Sequence, residues 1–284
     1  EPCKNKRKNR SGKRNGCRKM IAKEKLNILW SLEQTAEKYA DRVAVSDVNQ
    51  ELTWKELVKK AQVIGAELSE KVQPGNPVPV LLEKSSETLA VMLGIVYAGC
   101  FYVPVNPMNP TERLRKIMEK LDPEVIISDE KGKEQLAAVG NGLENKVMGP
   151  EALTTATGTE LSEEQYSRLE QIQGQWKETD VLYGIFTSGS TGTPKAIVVS
   201  HGAASRFIRH FTEIFEITSA DVIGNQAPFD FDVSVKDIYS SIMTGAQLVL
   251  IPKEYFSTPP RLLDYLCDKK VTNLTWAVSA LTLV

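Results

Sequence analysis

Apolar residues recur along this chain at two alternating periods. Leu29, Leu32, Ala36 and Tyr39 fall at helical spacing, which predicts a helix from Asn27 to about Ala40. Two short β-type runs follow, Val43-Ala44-Val45 and Leu52-Thr53-Trp54, with Asn49 and Gln50 in the turn between them. A helix is expected over 55–71, stopped by Pro74-Gly75. The apolar run 78–82 reads as a buried strand, and Ser85 and Ser86 offer an N-cap for an apolar helix ending at Gly99. Strand 101–105, helix 110–121 and strand 125–127 continue the alternation. Residues 140–180 are polar and weakly patterned, and are expected to form a linker or an excursion.

Regularity returns with two apolar strands, before residue 187 and after residue 195. Then come a helix over about 202–215, a short apolar run at Val222-Ile223, and a helix over 234–243. Strand 247–251, a helix over 259–269 with Pro259 and Pro260 at its start, and strand 273–276 complete the pattern. Strands alternating with helices predict an α/β fold of layered, largely parallel sheets flanked by helices. A further helix opens at Ser279 and the sequence stops at Val284, so truncation of the fold is expected.

Composition changes this picture at one end only. Of 284 residues, 42% are hydrophobic and 25% charged, ordinary values for a globular chain. Nine of the 35 Lys and Arg residues lie in residues 1–19 beside a single acid, Glu1, which leaves the remainder net acidic. That leader is too polar to build a core and is expected to be disordered. A basic run can serve as a nucleic-acid-binding arm or a nuclear localisation signal. Met20, however, opens a segment of normal composition, so residues 1–19 read as upstream sequence outside the native chain, and no nucleic-acid partner is expected.

No apolar secretory segment follows the leader, and the longest apolar stretch, 89–99, is too short to span a bilayer. Cys3, Cys17, Cys100 and Cys267 show neither metal-type spacing nor a paired framework. Cys100 and Cys267 sit among apolar neighbours and are expected to be buried thiols in a reducing compartment. A cytoplasmic, soluble protein without a membrane partner is the expectation.

The most informative run is Thr187-Ser188-Gly189-Ser190-Thr191-Gly192-Thr193-Pro194-Lys195. Glycines let backbone N–H groups turn inward, hydroxyls add donors, and the lysine adds one mobile positive charge. Such a nest suits polyanionic oxygens, and those of a nucleotide phosphate are expected. It is not a Walker A loop. Pro194 stands where the last glycine belongs, Ala196 replaces the magnesium-binding hydroxyl, and a β-type run follows where a helix should begin. A strand–loop–strand hairpin over phosphates is expected, against the plainer alternative of a flexible Ser/Gly surface loop.

Four segments in order resemble adenylate-forming enzymes, the superfamily of acyl-CoA synthetases, nonribosomal peptide synthetase adenylation domains and luciferases. The phosphate loop with its flanks, YGIFTSGSTGTPKAIVVSHG, is one. Leu52-Thr53-Trp54-Lys55-Glu56-Leu57 is similar to an early L-T-Y-x-E-L motif. Residues 97–105, YAGCFYVPV, are similar to an A-G-x-x-Y-V-P segment. Phe231-Asp232-Val233-Ser234 resembles the F-D-x-S motif of amino-acid adenylation domains, including D-alanine–carrier-protein ligases. The resemblance covers Met20 to Val284, roughly the first half of the family's large domain. The family's adenine- and ribose-binding motifs and its catalytic lysine would lie beyond Val284. One departure is Ala196, where the family usually has glycine; alanine suits that place only if its φ is negative.

The resemblance implies ATP-dependent activation of an amino acid as an aminoacyl-adenylate, then transfer to the phosphopantetheine thiol of a carrier protein. Thr187, Ser188, Gly189, Ser190, Thr191 and Gly192 would hold phosphate oxygens, Lys195 would anchor the loop or neutralise charge, and Mg2+ would arrive bound through ATP. Asp232 would take the α-ammonium of the amino acid, with Phe231, Val233 and Lys236 at the substrate pocket. Lys236 could pair with an acidic side chain, although an i,i+4 pair with Asp232 is the simpler alternative. Asp232 or Ser234 could instead merely cap the following helix. His201 either lines the nucleotide site or is a surface residue at a helix N-terminus, and His210 reads as structural. Alternatives are an acyl-CoA synthetase-type ligase and a nucleotide-binding fragment without turnover.

Overall fold

In the computed structural model, which describes residues 26–155, 160–187, 194–276, 278 and 282, Asn27 caps the first helix. Its Oδ1 accepts the N–H groups of Leu29 and Trp30 at 2.8 and 3.4 Å. Helix α1 (Ile28–Tyr39) buries Ile28, Leu29, Leu32 and Thr35. The antiparallel pair β1 (Val43–Ser46) and β2 (Glu51–Thr53) leads into α2 (Trp54–Ser69). Thr53 and Glu56 form a capping box there, so Trp54 opens the helix instead of closing the strand. The expected alternation continues as β3 (Pro77–Leu81), α3 (Ser86–Tyr97), β4 (Phe101–Pro104), α4 (Thr111–Leu121) and β5 (Ile126–Ser128). Ser85 caps α3, and Gly99 just beyond it has a φ of 77°, a conformation that glycine adopts without strain.

Residues 140–180 are not a linker. Helix α5 (Glu130–Val139) precedes them, and they hold a 3-10 turn (Leu143–Lys146), β6 (Val147–Met148), α6 (Pro150–Thr155) and α7 (Glu163–Gly174). Helix α7 buries only Leu169, which is why no apolar period announced it; its signal is the capping box of Ser162 and Gln165. Beyond lie β7 (Val181–Thr187), β8 (Lys195–Ser200), α8 (His201–Ile214), β9 (Val222–Asn225) and α9 (Asp232–Thr244). β10 (Gln247–Leu250), a 3-10 turn (Lys253–Ser257), α10 (Pro259–Asp268) and β11 (Asn273–Leu274) follow.

The strands form two sheets, as the α/β reading expects. One has the order β11-β9-β10-β1-β2 and is parallel except at β1/β2; Val45 of β1 faces Leu248 of β10. The other has the order β6-β5-β3-β4-β7-β8 and is parallel except at β7/β8. The main core joins residues of both sheets, such as Val45, Leu248, Val78 and Tyr102, with α1, α2, α3, α8 and α9. A second core packs Leu81 and Val103 against Leu114, Ile117 and Met118 of α4. A third gathers Ile251, Leu262 and Leu266 beside α10. Side chains on alternate strand positions point to opposite faces, so Tyr102 enters the main core while its neighbour Val103 enters the second.

Helices α2 and α3 approach at two glycines. A Cβ on Gly65 would lie 2.5 Å from Tyr97 Cβ, and one on Gly94 would lie 2.4 Å from Ile64 Cγ2. Helix α1 is fixed at the far end of the chain, where Thr35 Oγ1 donates to the Ile242 carbonyl at 2.7 Å.

Three local expectations are corrected. His201 is not a surface residue: it is 3% exposed, its Nδ1 accepts the Ile28 N–H at 3.3 Å, and its ring stacks on Trp176 at 6.4 Å. His210 is exposed beside Glu213 rather than structural. Cys100 is buried as expected, and burial pushes its thiol up to about 12, but Cys267 is exposed on α10. Among the described residues, no helix is long and apolar enough to cross a membrane.

Gly94→Ala gains helix propensity of about 1 kcal/mol at most, against an overpacking cost of about 1–3 kcal/mol. A lowered urea midpoint is expected, and a midpoint at or above that of the wild type contradicts the close approach. Burial holds the His201 imidazole down at about 4 against an ordinary 6.5, with Asp180 opposing weakly. The unfolded chain therefore binds this proton first as pH falls. Stability is lost from about pH 6.5 to about pH 4 and then levels, by about 3 kcal/mol in full. His201→Asn keeps an acceptor for Ile28 and removes the titration, so it should lose less stability than wild type between pH 7 and 4.5. Equal losses in paired urea titrations contradict the assignment.

Candidate active site

Strands β7 and β8 are paired up to Thr187 and Lys195, which face each other at the last register position. Thr187 Oγ1 donates to the Lys195 carbonyl at 3.5 Å. Both side chains are exposed, and Pro194 beside Lys195 is buried. Ser188, Gly189, Ser190, Thr191 and Gly192 lie outside the described residues. The chain leaves the loop as a strand antiparallel to the one that entered it, the hairpin the sequence predicts and not the helix of a Walker A loop. Ala196 sits in β8 opposite Phe186 and does not have a positive φ, so alanine fits at the position where the family resemblance leads one to expect glycine.

The second group stands at the start of α9. This helix opens at Asp232, two residues before its expected start, and no side chain caps it. Ser234 Oγ donates to the Phe231 carbonyl at 2.7 Å, which ties the turn but leaves the helix N–H groups alone. Neither Asp232 nor Ser234 is therefore the side-chain cap that the plainer reading requires. The Asp232 carboxylate is exposed in the first turn, where the helix dipole favours negative charge. Its charge reaches Tyr183, whose phenol is pushed up to about 12, chiefly by burial and then by Asp232. Phe231 is exposed and Val233 half-buried. Lys236 lies one turn on, and among the described residues it forms no ion pair with Asp232. Its ammonium sits 5.7 Å from the ring centre of Phe211 on α8.

Buried groups that the sequence did not single out join these two parts. Tyr102 of β4 and Tyr239 of α9 share a hydrogen bond between their hydroxyls. Tyr183 of β7 stacks on Tyr102 at 5.9 Å and lies 6.3 Å from Tyr239. The strand leading to the Thr187–Lys195 hairpin and the helix carrying Asp232 thus meet at one aromatic cluster. Asp230 lies half-buried on the same loop. Burial raises its carboxyl above the usual range, while a hydrogen bond from Asn106 and the charge of Arg113 oppose the rise. Parallel strands of both sheets deliver their carboxyl ends to this region, the place where open α/β sheets bind ligands. A hydroxyl- and glycine-rich sequence between paired strands, ending in an exposed lysine, suits polyphosphate, and the exposed carboxylate of Asp232 suits an ammonium group.

This chain resembles known proteins both by sequence and by fold. Residues 32–283 match the family model described as AMP-binding enzyme. Over 251 residues, 88% of the chain, it is 30% identical to tyrocidine synthase 1 of Brevibacillus parabrevis, covering 22% of that protein. It is 31% identical over 238 residues, 83% of the chain, to the D-alanine–D-alanyl carrier protein ligase of Staphylococcus epidermidis, covering 44% of it. The chain thus spans less than half the length of these curated relatives. A crystal structure of the nonribosomal peptide synthetase FmoA3 superposes with a TM-score of 0.77 at 25% identity, over 90% of this chain and 26% of that one. The chain belongs to the AMP-binding enzyme family.

Proposed function

We propose that the protein carrying this chain activates an amino acid with ATP and passes it to the phosphopantetheine thiol of a carrier protein. The observation that carries this reading is Asp232, an exposed carboxylate on the first turn of α9 that caps nothing and has no ion-pair partner among the described residues. A fatty or aryl acid would have no ammonium to offer it. In the first step a carboxylate oxygen of the substrate attacks the α-phosphorus of ATP, and the bond to the bridging oxygen breaks to release pyrophosphate. In the second, the thiolate attacks the acyl carbon and AMP leaves. Carboxylates are inert to thiols until such a leaving group is installed.

The hairpin residues Thr187, Ser188, Gly189, Ser190, Thr191 and Gly192 would cradle the β- and γ-phosphates, and Lys195 would neutralise charge that develops on the departing pyrophosphate. The exposed, paired ends of the hairpin support this, since both Thr187 and Lys195 are accessible to a ligand. Mg2+ would enter on the nucleotide's own oxygens, where it supplies charge neutralisation. Phe231 and Val233 flank the amine site. Lys236, which lies over Phe211 and forms no ion pair with Asp232 among the described residues, would meet an acidic substrate side chain.

Amino-acid-dependent ATP–pyrophosphate exchange by the full-length protein tests the reading. Asp232→Asn removes the ammonium's counter-charge, and the amino-acid KM should rise by about a hundredfold, as for a lost desolvated charge pair, while the ATP KM holds. An unchanged amino-acid KM removes Asp232 from the role. Lys236→Glu should shift the preferred amino acid away from acidic side chains, and an identical substrate profile ends the acidic-substrate reading.

A further inference from the structure

Every candidate substrate residue lies between Asn225, where β9 ends, and Asp237, in the second turn of α9. Those two residues are joined to each other. Asn225 Nδ2 donates to Asp237 Oδ2 at 2.9 Å, and both side chains are buried. The join closes residues 226–236 into a loop with a fixed base. A third group fixes its direction. Lys84, three residues past the end of β3, donates its ammonium to the carbonyls of Asn225 and Gln226, each at 3.1 Å. β3 and β9 belong to different sheets. Lys84 therefore fastens the exit of one sheet to the exit of the other where the loop departs.

We propose that Lys84 is the positioning residue of the substrate loop: by holding the Asn225 and Gln226 carbonyls it sets the angle at which 226–231 leaves β9 and so where Asp232 is presented. The electrostatics fit. Two peptide carbonyls and the nearby Asp237 carboxylate compensate a cation that burial disfavours: burial lowers Lys84 to about 8 and raises Asp237 to about 7, and each group's charge offsets part of the other's shift. A neutral side chain at position 84 leaves the Gln226 carbonyl without its lysine donor, while Asn225 keeps the Ile251 N–H on its carbonyl at 3.0 Å and the bond from its side chain to Asp237. Arginine can still reach the carbonyls as a donor. The Asp232 role rests on the function proposed above; the clamp itself does not.

Two measurements separate them. Amide hydrogen exchange of this chain without ligand reads the clamp alone. Lys84→Met should speed exchange at least tenfold in 227–235 and leave α2 and α3 at wild-type rates, with Lys84→Arg restoring protection. Unchanged rates in 227–235, or a uniform rise across the chain, overturn the proposal. Asp237→Asn, which keeps an acceptor for Asn225, should retain protection; loss there equal to that of Lys84→Met would assign the loop to Asp237 and overturn the role of Lys84. In pyrophosphate exchange by the full-length protein, Lys84→Met should raise the amino-acid KM about tenfold and leave the ATP KM alone. A rise in the ATP KM instead overturns the assignment to the substrate loop. Absence of amino-acid-dependent exchange in the wild type would overturn the proposed function while the clamp is decided by hydrogen exchange.

Discussion

The hydrogen bond between the Tyr102 and Tyr239 hydroxyls is the contact on which the site's geometry depends. Both rings are buried, and burial keeps both phenols neutral far above their ordinary range. A buried hydroxyl without a partner costs about 1–3 kcal/mol, so neither ring can rotate away cheaply. Tyr102 belongs to a sheet and Tyr239 to the helix that packs over it. The bond therefore sets the height of α9 above β4 and, through the stacked Tyr183, its position relative to β7. The Thr187–Lys195 hairpin grows from β7, and Asp232 stands two turns before Tyr239. Two elements far apart in sequence, each carrying candidate site residues, are held in one frame by three aromatic rings.

The glycine contact of α2 with α3 does the complementary work on the other side of the core. It brings two helices to backbone distance, where no side chain of any size fits between them. Close packing of this kind gives little room for adjustment, since protein interiors are already as dense as organic crystals. The sheets on either side are spaced by these helices, and the ends of β3 and β9 are thereby brought within reach of one lysine.

The sequence reveals those parts whose signals are local. The strand–helix alternation, the Thr53 and Ser85 caps, and the hairpin at Thr187–Lys195 are each written in a few neighbouring residues. Helices α5 and α7 escaped because their faces are mostly solvated; α7 buries one leucine, and its capping box was the only sign. Helix α9 begins earlier than expected because its first turn is stabilised by Ser234 bonding back to Phe231, not by a capping side chain. His201 misled because a histidine at a helix N-terminus is commonly exposed, and nothing near it in sequence announces Ile28 or Trp176 as its partners. The tyrosine cluster and the Lys84 clamp were invisible for the same reason: their members come from different strands and helices, and only the topology brings them together.

That topology also sets an order of events during synthesis. β1 finds its parallel partner in β10, with Val45 opposite Leu248, and α1 finds the Ile242 carbonyl through Thr35. At a typical rate of translation, about 5–20 residues per second, the free edge of β1 and the Thr35 hydroxyl of α1 wait on the order of 10–40 s for these partners to leave the ribosome. β3, β4 and β5, by contrast, can pair with one another soon after they emerge. The six-stranded sheet is thus able to assemble first, and α1 and β1 are the elements that nascent-chain chaperones have the longest opportunity to hold.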